Sequence, residues 1–211
     1  MVDSEDLKIY FYDSFLSSDQ FDEETNGTGY ITIKPTEILL HGGVTSNSYA
    51  LLNYSYNNFN PVYAELILKL HFASKTNIIA FVGFKETLDE PTDPMTESHL
   101  GIFIKDNKFY FSSANSLSQQ KVEIPTIDVT KVYEYKLTNN SLYYKPLPQA
   151  ESYLGLPTFT TAERVFHHLQ NNSTYPPEDK VHYLVFYIKN TSTSARYIKL
   201  YKVIYKEEYA D

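Results

Sequence analysis

The segment Tyr197-Ile198-Lys199-Leu200-Tyr201-Lys202-Val203-Ile204-Tyr205 decides the fold class, because polar and apolar positions alternate along it. The segment Val132-Tyr133-Glu134-Tyr135-Lys136-Leu137 repeats the pattern. A period of two is typical of a strand with one buried face, on which Tyr, Val and Ile pack well. Tyrosine supplies 20 of the 211 residues, mostly within such segments. The sequence therefore predicts an all-β protein, built as a two-sheet antiparallel sandwich.

The length and the composition indicate one domain over residues 1–211. A β-sandwich of about 200 residues commonly folds as a single unit, and the chain contains neither a linker-like stretch nor an internal repeat. A core of this size needs no disulfides. Cysteine is absent, which excludes disulfides, thiolate metal sites and cysteine nucleophiles.

The charge excludes a further class of protein. A net charge of −8 argues against nucleic-acid binding, which needs lysine and arginine against phosphates. The acidic residues concentrate near the N-terminus and in the loop 86–97, which we interpret as solvated loops. No stretch is apolar over the roughly 20 residues that span a bilayer, so no membrane insertion is predicted. The acidic start leads directly into a strand, unlike a signal peptide.

The alternating segments predict an ordered series of strands. Two pairs are expected to be hairpins, turning at Asp106-Asn107 and Asn139-Asn140, because Asp and Asn tolerate the positive φ of tight turns. A last pair is predicted between 181–189 and 196–206. The remaining predicted strands are 7–12, 30–34, 37–40, 48–54, 65–72 and 78–84, with a loop over 13–29.

A long insertion over residues 146–180 interrupts the series. Thr160-Thr161-Ala162-Glu163 has the spacing of a capping box, and apolar residues follow at helical intervals, which predicts one short helix over 161–170. Long insertions on a rigid scaffold are commonly interaction surfaces. The candidate partner-binding residues are Tyr153, Phe159, Phe166 and Tyr175. The alternative is a well-packed lid that binds no partner.

The order of these features resembles the concanavalin A-like lectin and glucanase superfamily. The resemblance rests on an Asp-x-Phe segment, a strand ending in Gly-Phe, a Tyr-rich hairpin and a closing strand. These are Tyr12-Asp13-Ser14-Phe15, Phe81-Val82-Gly83-Phe84, residues 133–137 with Leu142-Tyr143-Tyr144, and Leu200-Tyr201-Lys202-Val203-Ile204-Tyr205. The resemblance covers nearly the whole chain and implies a jelly roll.

The catalytic equipment of that superfamily has no counterpart here. Its glucanases carry Glu-x-apolar-Asp-x-x-Glu on one strand, which places a nucleophile and a general acid on one face. Glu65 and Glu134 each lack a second acid two residues away. The Arg- and Gln-containing strands of the alginate lyases and the metal loop of the legume lectins cannot be placed either. We therefore expect no catalytic residue, no enzyme activity and no cofactor.

No metal site is predicted, although two groups of residues are candidates. His167 and His168 are adjacent on the predicted helix and would point about 100° apart, while the remaining histidines are scattered over four strands (His41, His71, His99 and His182). The loop acids could supply hard oxygen ligands to Ca²⁺, yet they lack the spacing of a dedicated calcium loop. These acids are Asp89, Glu90, Asp93 and Glu97.

Aromatic side chains are the better candidates for ligand binding, since sugars stack their apolar faces on tyrosine. The candidate carbohydrate-binding residues are Tyr10, Tyr12, Tyr133, Tyr135 and Tyr143. The alternative is that these tyrosines pack the core or cover a sheet. Glycosylation triplets begin at Asn26, Asn53, Asn139, Asn171, Asn172 and Asn190.

The sequence favours a non-catalytic structural or adhesion domain. Abundant tyrosine, no cysteine, no leader and several glycosylation triplets resemble virion proteins of archaeal viruses. We expect a tail, adaptor or surface component, exposed on the virion or on an extracellular surface, that self-associates, joins other structural proteins or contacts a host glycan. The alternatives are a carbohydrate-binding module, a glycan-cleaving enzyme, and a cytoplasmic location.

Overall fold

The computed structural model describes residues 7–9, 21–54, 59–146, 166–177 and 179–208. They form fifteen strands: β1 (Leu7–Ile9), β2 (Phe21–Asn26), β3 (Tyr30–Lys34), β4 (Glu37–His41), β5 (Tyr49–Tyr54), β6 (Ala64–Phe72), β7 (Ile78–Lys85), β8 (His99–Lys105), β9 (Lys108–Ala114), β10 (Gln119–Glu123), β11 (Tyr133–Thr138), β12 (Ser141–Pro146), β13 (His167–Asn171), β14 (Tyr183–Asn190) and β15 (Tyr197–Glu208). No helix long and apolar enough to cross a membrane occurs among the described residues.

The strands form two antiparallel sheets. Sheet A has the order β13-β12-β11-β6-β15-β4-β3, and sheet B the order β10-β9-β8-β7-β14-β5-β2. The first strand, β1, pairs with the end of β15. Because β6 runs along one edge of β15, β1 and β4 share its other edge at opposite ends. The predicted two-sheet sandwich is confirmed.

The core lies between the sheets and follows the predicted alternation. On β6 the residues Leu66, Leu68, Leu70 and Phe72 are fully buried, while the residues between them are partly exposed. Sheet B contributes Val82, Phe84 and Phe186, among others, from its inner face. Burial of apolar surface between the sheets, which contributes about 25 cal/mol per Å², is the main contribution to the stability of the sandwich.

Both predicted hairpins are present. Asp106 and Asn107 have φ angles of 51° and 64°, which is the double positive φ of a tight hairpin turn. They join β8 to β9, and the turn at Asn139 joins β11 to β12. Asp and Asn tolerate this left-handed backbone conformation at a low free-energy cost, because their short side chains can hydrogen-bond to the nearby backbone.

Three of the local predictions are wrong. The segments predicted as a last pair lie in opposite sheets, since β14 belongs to sheet B and β15 to sheet A. The predicted loop 13–29 contains the edge strand β2. Five of its six residues are exposed, so its acid-rich sequence lacks the apolar alternation that predicts a strand. The predicted helix over 161–170 is wrong in its described part, because His167–Asn171 is strand β13. Residues 161–165 lie outside the described residues.

The segment after β13 joins the edges of the two sheets. Asn172 is buried, and its side-chain amide donates to the Ser113 hydroxyl at 2.8 Å and to the Gln120 carbonyl at 3.3 Å. The Gln120 side chain in turn accepts from the backbone amides of Ser173 and Thr174. Part of the insertion 146–180 is therefore integral to the sandwich, where it links β13 to β9 and β10.

Candidate functional site

The outer face of sheet B is apolar and covered. Leu51, Phe81, Phe103, Val185 and Tyr187 form a buried cluster there, separate from the main core. The cover is the loop 86–98, which places Met95, with no exposed surface, and part of Leu88 on this cluster. This face is therefore closed to a ligand in the described structure.

Four close lysine–carboxylate ion pairs hold the covering loop in place. The ammonium-to-carboxylate distances are 2.6 Å for Lys85–Glu97, 2.6 Å for Lys121–Asp93, 2.8 Å for Lys189–Glu90 and 2.6 Å for Lys180–Glu86. The interpretation of this segment as a solvated loop is wrong, because four of its five carboxylates form ion pairs and Met95 and Leu88 pack on the cluster. Among the described residues, no group of three or more His, Asp or Glu side chains could hold a metal ion.

A buried polar network lies beside this loop. His99 Nδ1 donates to the Glu97 carbonyl and its Nε2 accepts from the Ser112 hydroxyl, both at 2.8 Å. His182 Nε2 lies 2.8 Å from the Ser98 hydroxyl. Burial lowers the pKa of both His99 and His182 to about 4. A serine beside a neutral histidine is the arrangement of an activated nucleophile, but all four residues have no exposed surface, so a substrate cannot reach them.

The outer face of sheet A carries a row of aromatic rings across four strands. Tyr30 of β3 stacks on His41 of β4, with 4.5 Å between ring centroids, and His41 faces Tyr197 of β15 at 6.5 Å. Tyr197 meets His71 of β6 edge-to-face at 5.9 Å. His71 stacks on Tyr201 at 5.8 Å, and its Nδ1 lies 3.3 Å from the Tyr201 hydroxyl. We call these five residues the aromatic row.

Strand register produces the row. Tyr30 and Tyr197 are both direct cross-strand partners of His41, so their side chains share one face. A β-bulge between Leu200 and Lys202 interrupts the alternation on β15. Because Leu200 and Val203 both point into the core, Tyr201 and Lys202 both lie on the outer face.

The aromatic row is partly open to solvent, although His41 within it is buried. Tyr30 is 45% exposed, and Tyr197, His71 and Tyr201 are half-buried. Burial, followed by the charge of Lys199, lowers the pKa of His71, so its ring is neutral at pH 7. Burial raises the pKa of Tyr201, which keeps its hydroxyl protonated. The row thus offers flat apolar faces beside neutral hydrogen-bonding groups.

A second aromatic group lies near the opposite edge of the same face. Tyr143 of β12 contacts His168 of β13 edge-to-face, with 5.3 Å between centroids. The Lys136 ammonium lies 4.8 Å from the centroid of Tyr143 and 5.2 Å from that of Phe166. The Lys145 ammonium lies 5.1 Å from the same Phe166 ring. One face of each ring is therefore taken by a lysine of the same chain.

The predicted carbohydrate-binding tyrosines separate in the structure. Tyr143 lies on the outer face of sheet A. Tyr135 is 1% exposed and packs in the core against Phe109, so its prediction as an exposed site residue is wrong. Tyr133 is on the same side of β11 as Tyr135 and packs partly against the core, which is the alternative considered for it. Tyr10 and Tyr12 lie outside the described residues.

The predicted partner-binding residues divide in the same way. Tyr175 is 46% exposed on the segment that follows β13. Phe166 is half-buried and contacts the two lysines described above. Tyr153 and Phe159 lie outside the described residues. Their role in binding a partner stays a prediction for all four.

Sequence reasoning missed the aromatic row. The available signal was that Tyr197, Lys199 and Tyr201 alternate with buried Ile198 and Leu200, which places both tyrosines on the polar face. Which strands lie beside β15, and hence which rings meet, follows only from the sheet order. Alternation thus identifies an outward-facing tyrosine but not its neighbours.

Burial decides which asparagines of the glycosylation triplets are accessible in the folded protein. The Asn190 side-chain amide, which would carry the glycan, is buried and donates to the carbonyls of Gly43 and Ser194 at 2.8 and 2.7 Å. Asn172 is buried and bonded as described above, and Asn53 is also buried. Asn26 and Asn171 are exposed. Asn139 is half-buried, so Asn26 and Asn171 are the two exposed acceptors among the six.

Comparison with known proteins shows the fold. No family model and no curated protein matches the sequence. The chain superposes on the exoplasmic/lumenal domain of VIP36 in a Ca²⁺- and mannose-bound form, with a TM-score of 0.53 and 8% identity over 91% of this chain and 84% of that one. A glycosyl hydrolase family protein from Mycobacterium fortuitum gives 0.53 and 10% over 92% and 94%. The Crh5 transglycosylase gives 0.54 and 10% over 97% and 85%.

These likenesses confirm the predicted concanavalin A-like jelly roll. The structures of similar fold include a mannose-bound domain, a glycosyl hydrolase family protein and a transglycosylase. At 8–10% identity the likeness concerns backbone topology, and unrelated functions share such a scaffold. The function has to be argued from the side chains of this chain.

Proposed function

We propose that this protein is a non-catalytic adhesion domain that binds a saccharide on the outer face of sheet A. The observation that carries the proposal is the aromatic row, in which five rings from four strands contact one another and all but the buried His41 keep part of their surface open to solvent. Saccharide binding in a glycan-binding fold needs such flat apolar surfaces together with polar groups at their margin.

The polar groups stand beside the rings. The Lys69 ammonium lies 5.9 Å from the centroid of Tyr201. Lys199 is the cross-strand partner of His71, and Glu37 lies 3.5 Å from the Lys199 ammonium. A sugar ring stacked on Tyr201 or Tyr197 would therefore have donors and acceptors within reach of its hydroxyls. Because the rings are held on rigid strands, ordering them on binding costs little entropy.

The carboxylates of this face support the absence of catalysis. Glycoside hydrolysis needs one carboxylic acid that donates a proton and one carboxylate that acts as nucleophile or base. Glu65 pairs with Lys206 and Lys136, at 3.2 and 3.5 Å. Glu134 pairs with Lys145 and with Lys202. Each of these glutamates is thus already engaged by two lysines of the same face.

Glycan-array screening followed by calorimetry tests the proposal. We expect Tyr201→Ala and Tyr30→Ala to weaken binding of the best array ligand about tenfold each, because each removes part of the stacking surface. The matched control is Tyr175→Ala, since Tyr175 and Tyr30 are 46% and 45% exposed. The control should bind as the unmodified protein does, and circular dichroism should show that all variants stay folded.

Two results would contradict the proposal. One is the absence of binding across an array of neutral and acidic glycans. The other is a ligand whose affinity is unchanged in Tyr201→Ala and Tyr30→Ala, which would place its site elsewhere. Turnover of a bound glycan that disappears in Glu65→Gln or Glu134→Gln would overturn the non-catalytic part and favour a glycan-cleaving enzyme.

A second candidate function is assembly with other copies or other structural proteins. It is favoured by Tyr175 and Val181, large apolar side chains that are 46% and 58% exposed on neighbouring parts of the chain. Light scattering of the purified protein and of Tyr175→Ser/Val181→Ser tests this function, since a loss of mass in the variant would support it. The finer hypothesis of a virion component of an archaeal virus stays a prediction from composition.

A further inference from the structure

Three glutamates on the outer face of sheet A each lie between two lysines. Glu37 contacts Lys34 at 3.6 Å and Lys199 at 3.5 Å. Glu65 and Glu134 do the same with two lysines each, as described above. We call this arrangement the lysine–glutamate ladder. Each glutamate and its two lysines together carry a net charge of +1.

Lys69 adds a further charge to the face. Within the described part of the chain its ammonium forms no ion pair, and it lies over the ring of Tyr201. The described side chains of the face thus comprise seven lysines and three glutamates, a net charge of +4 (Lys34, Lys69, Lys136, Lys145, Lys199, Lys202 and Lys206; Glu37, Glu65 and Glu134). The whole chain carries −8. The positive charge is therefore concentrated on the face that carries the aromatic row.

This concentration has an energetic consequence for a bound ligand. Long lysine side chains on a solvated sheet face can turn their ammonium groups toward an anion at little cost. A ladder glutamate keeps its second lysine when one of its two lysines turns away, so a bound anion would not leave a carboxylate unpaired. A neutral saccharide would gain only the stacking surface from this face, whereas an anionic saccharide would gain the Coulombic attraction as well.

We propose that the ligand of the aromatic row is an anionic saccharide, with carboxylate or sulfate groups that bind Lys69 and Lys199 while its sugar rings stack on Tyr197 and Tyr201. The inference rests on the proposed function and specifies its ligand class. The two lysines are chosen because both border the row: Lys69 lies over Tyr201, and Lys199 neighbours His71 across β15 and β6.

Calorimetry with matched probes tests the inference. The probes are an oligogalacturonate, the same oligomer with its carboxyl groups methyl-esterified, and a chondroitin sulfate oligosaccharide of similar length. We expect the methyl-esterified oligomer to bind at least tenfold more weakly than the oligogalacturonate. Affinity for the anionic probes should fall as the salt concentration rises, because both lysines are partly exposed to the solvent. Chondroitin sulfate carries sulfate groups in addition to carboxylates, so its comparison with the oligogalacturonate shows whether an oligosaccharide that also carries sulfate binds more tightly.

The variants separate charge from stacking. Lys69→Gln and Lys199→Gln should each weaken binding of the anionic probe several-fold and reduce its salt dependence. Lys108→Gln is the matched control, since Lys108 lies in the β8–β9 hairpin of sheet B and its only described ion pair is with Glu123. This control should bind unchanged. Tyr201→Ala should weaken both the anionic and the neutral oligomer.

Four other outcomes would contradict the inference, and one of them would also contradict the proposed function. Equal binding of the charged and esterified oligomers would overturn the inference and leave the proposed function intact. No binding of any saccharide probe or array glycan would overturn both. Binding of polyglutamate as tight as that of the oligogalacturonate would show a site for acidic polypeptides and overturn the saccharide class. Self-association that Lys69→Gln abolishes would assign the face to a second copy of this chain and overturn the inference.

Discussion

Lys85 and Glu97 form an ion pair, with 2.6 Å between Nζ and Oε1, at the two ends of the loop that covers sheet B. Lys85 has no exposed surface, and its ammonium also donates to the Thr87 hydroxyl and to the carbonyls of Thr87 and Asp89. Burial raises the pKa of Glu97, but the hydrogen bond from Lys85, a backbone hydrogen bond and the charge of Lys85 are the main causes that together lower it. This lysine therefore organises the start and the end of the loop.

Replacing Lys85 with methionine should lower the free energy of unfolding by about 3–5 kcal/mol, because it leaves Glu97 and two carbonyls without their donor. Urea denaturation measures the change. Lys108→Met, which removes an exposed ion pair with Glu123, is the control and should change stability little. Adding Glu97→Gln to Lys85→Met should recover part of the loss. A Lys85→Met protein as stable as the original would show that packing alone holds the loop.

Acid should destabilise the protein between pH 6.5 and pH 4. In the unfolded chain His99 and His182 take up protons near pH 6.5, whereas burial lowers their pKa to about 4 in the folded protein. The unfolded state therefore binds more protons in this window, so stability falls as the pH falls. The loss reaches about 3 kcal/mol for each histidine by pH 4.

Thermal melting at pH 7, 6, 5 and 4.5 checks this dependence. The double variant His99→Gln/His182→Gln should start less stable and show a flatter pH profile. His168→Gln removes an exposed histidine instead and should keep the original profile. If the double variant loses stability with acid as steeply as the original, other groups cause the dependence.

Alanine at position 83 should disrupt the centre of sheet B. Gly83 has a φ of 150° and pairs with Gly101 of β8, and an added Cβ would lie 2.3 Å from the Leu100 carbonyl oxygen. Because the obstacle is backbone, we expect Gly83→Ala to cost more than about 2 kcal/mol. Gly42→Ala is the control, since its Cβ would meet no atom closer than 3.3 Å. Equal denaturation midpoints for the two variants would refute the clash.

Glycan attachment should follow burial rather than the sequence triplet. After expression in a eukaryotic secretory host, we expect the folded, secreted fraction to carry glycans at the exposed Asn26 and Asn171. The buried acceptors Asn53, Asn172 and Asn190 should carry none. Asn172 and Asn190 use their amide nitrogens for buried hydrogen bonds, so a glycan there would prevent folding. Peptide mass spectrometry reads the occupancy. Glycosylated Asn190 in a folded, monodisperse sample would contradict the burial of this side chain.

Much of the fold was predictable because its signals are local. The alternation on β6 and β15 and the Asp106-Asn107 turn are encoded within a few residues, and both are confirmed. Strands without an apolar face escaped prediction, as β2 shows. The helix over 161–170 failed where it is described, since pairing with β12 decided the conformation of His167–Asn171 and the capping signal did not.

The fold class, the single apolar face of most strands and the lack of the glucanase acid motif could all be predicted from the amino-acid sequence, because each depends on short-range periodicity or composition. Which tyrosines lie in the core and which form a surface depends on the folded arrangement of the strands. It placed Tyr135 inside and brought Tyr30, Tyr197 and Tyr201 to one face through the sheet order and a bulge in β15. It also turned the acidic loop into a covering segment, because the lysines that neutralise it come from strands and loops that meet only in the folded chain.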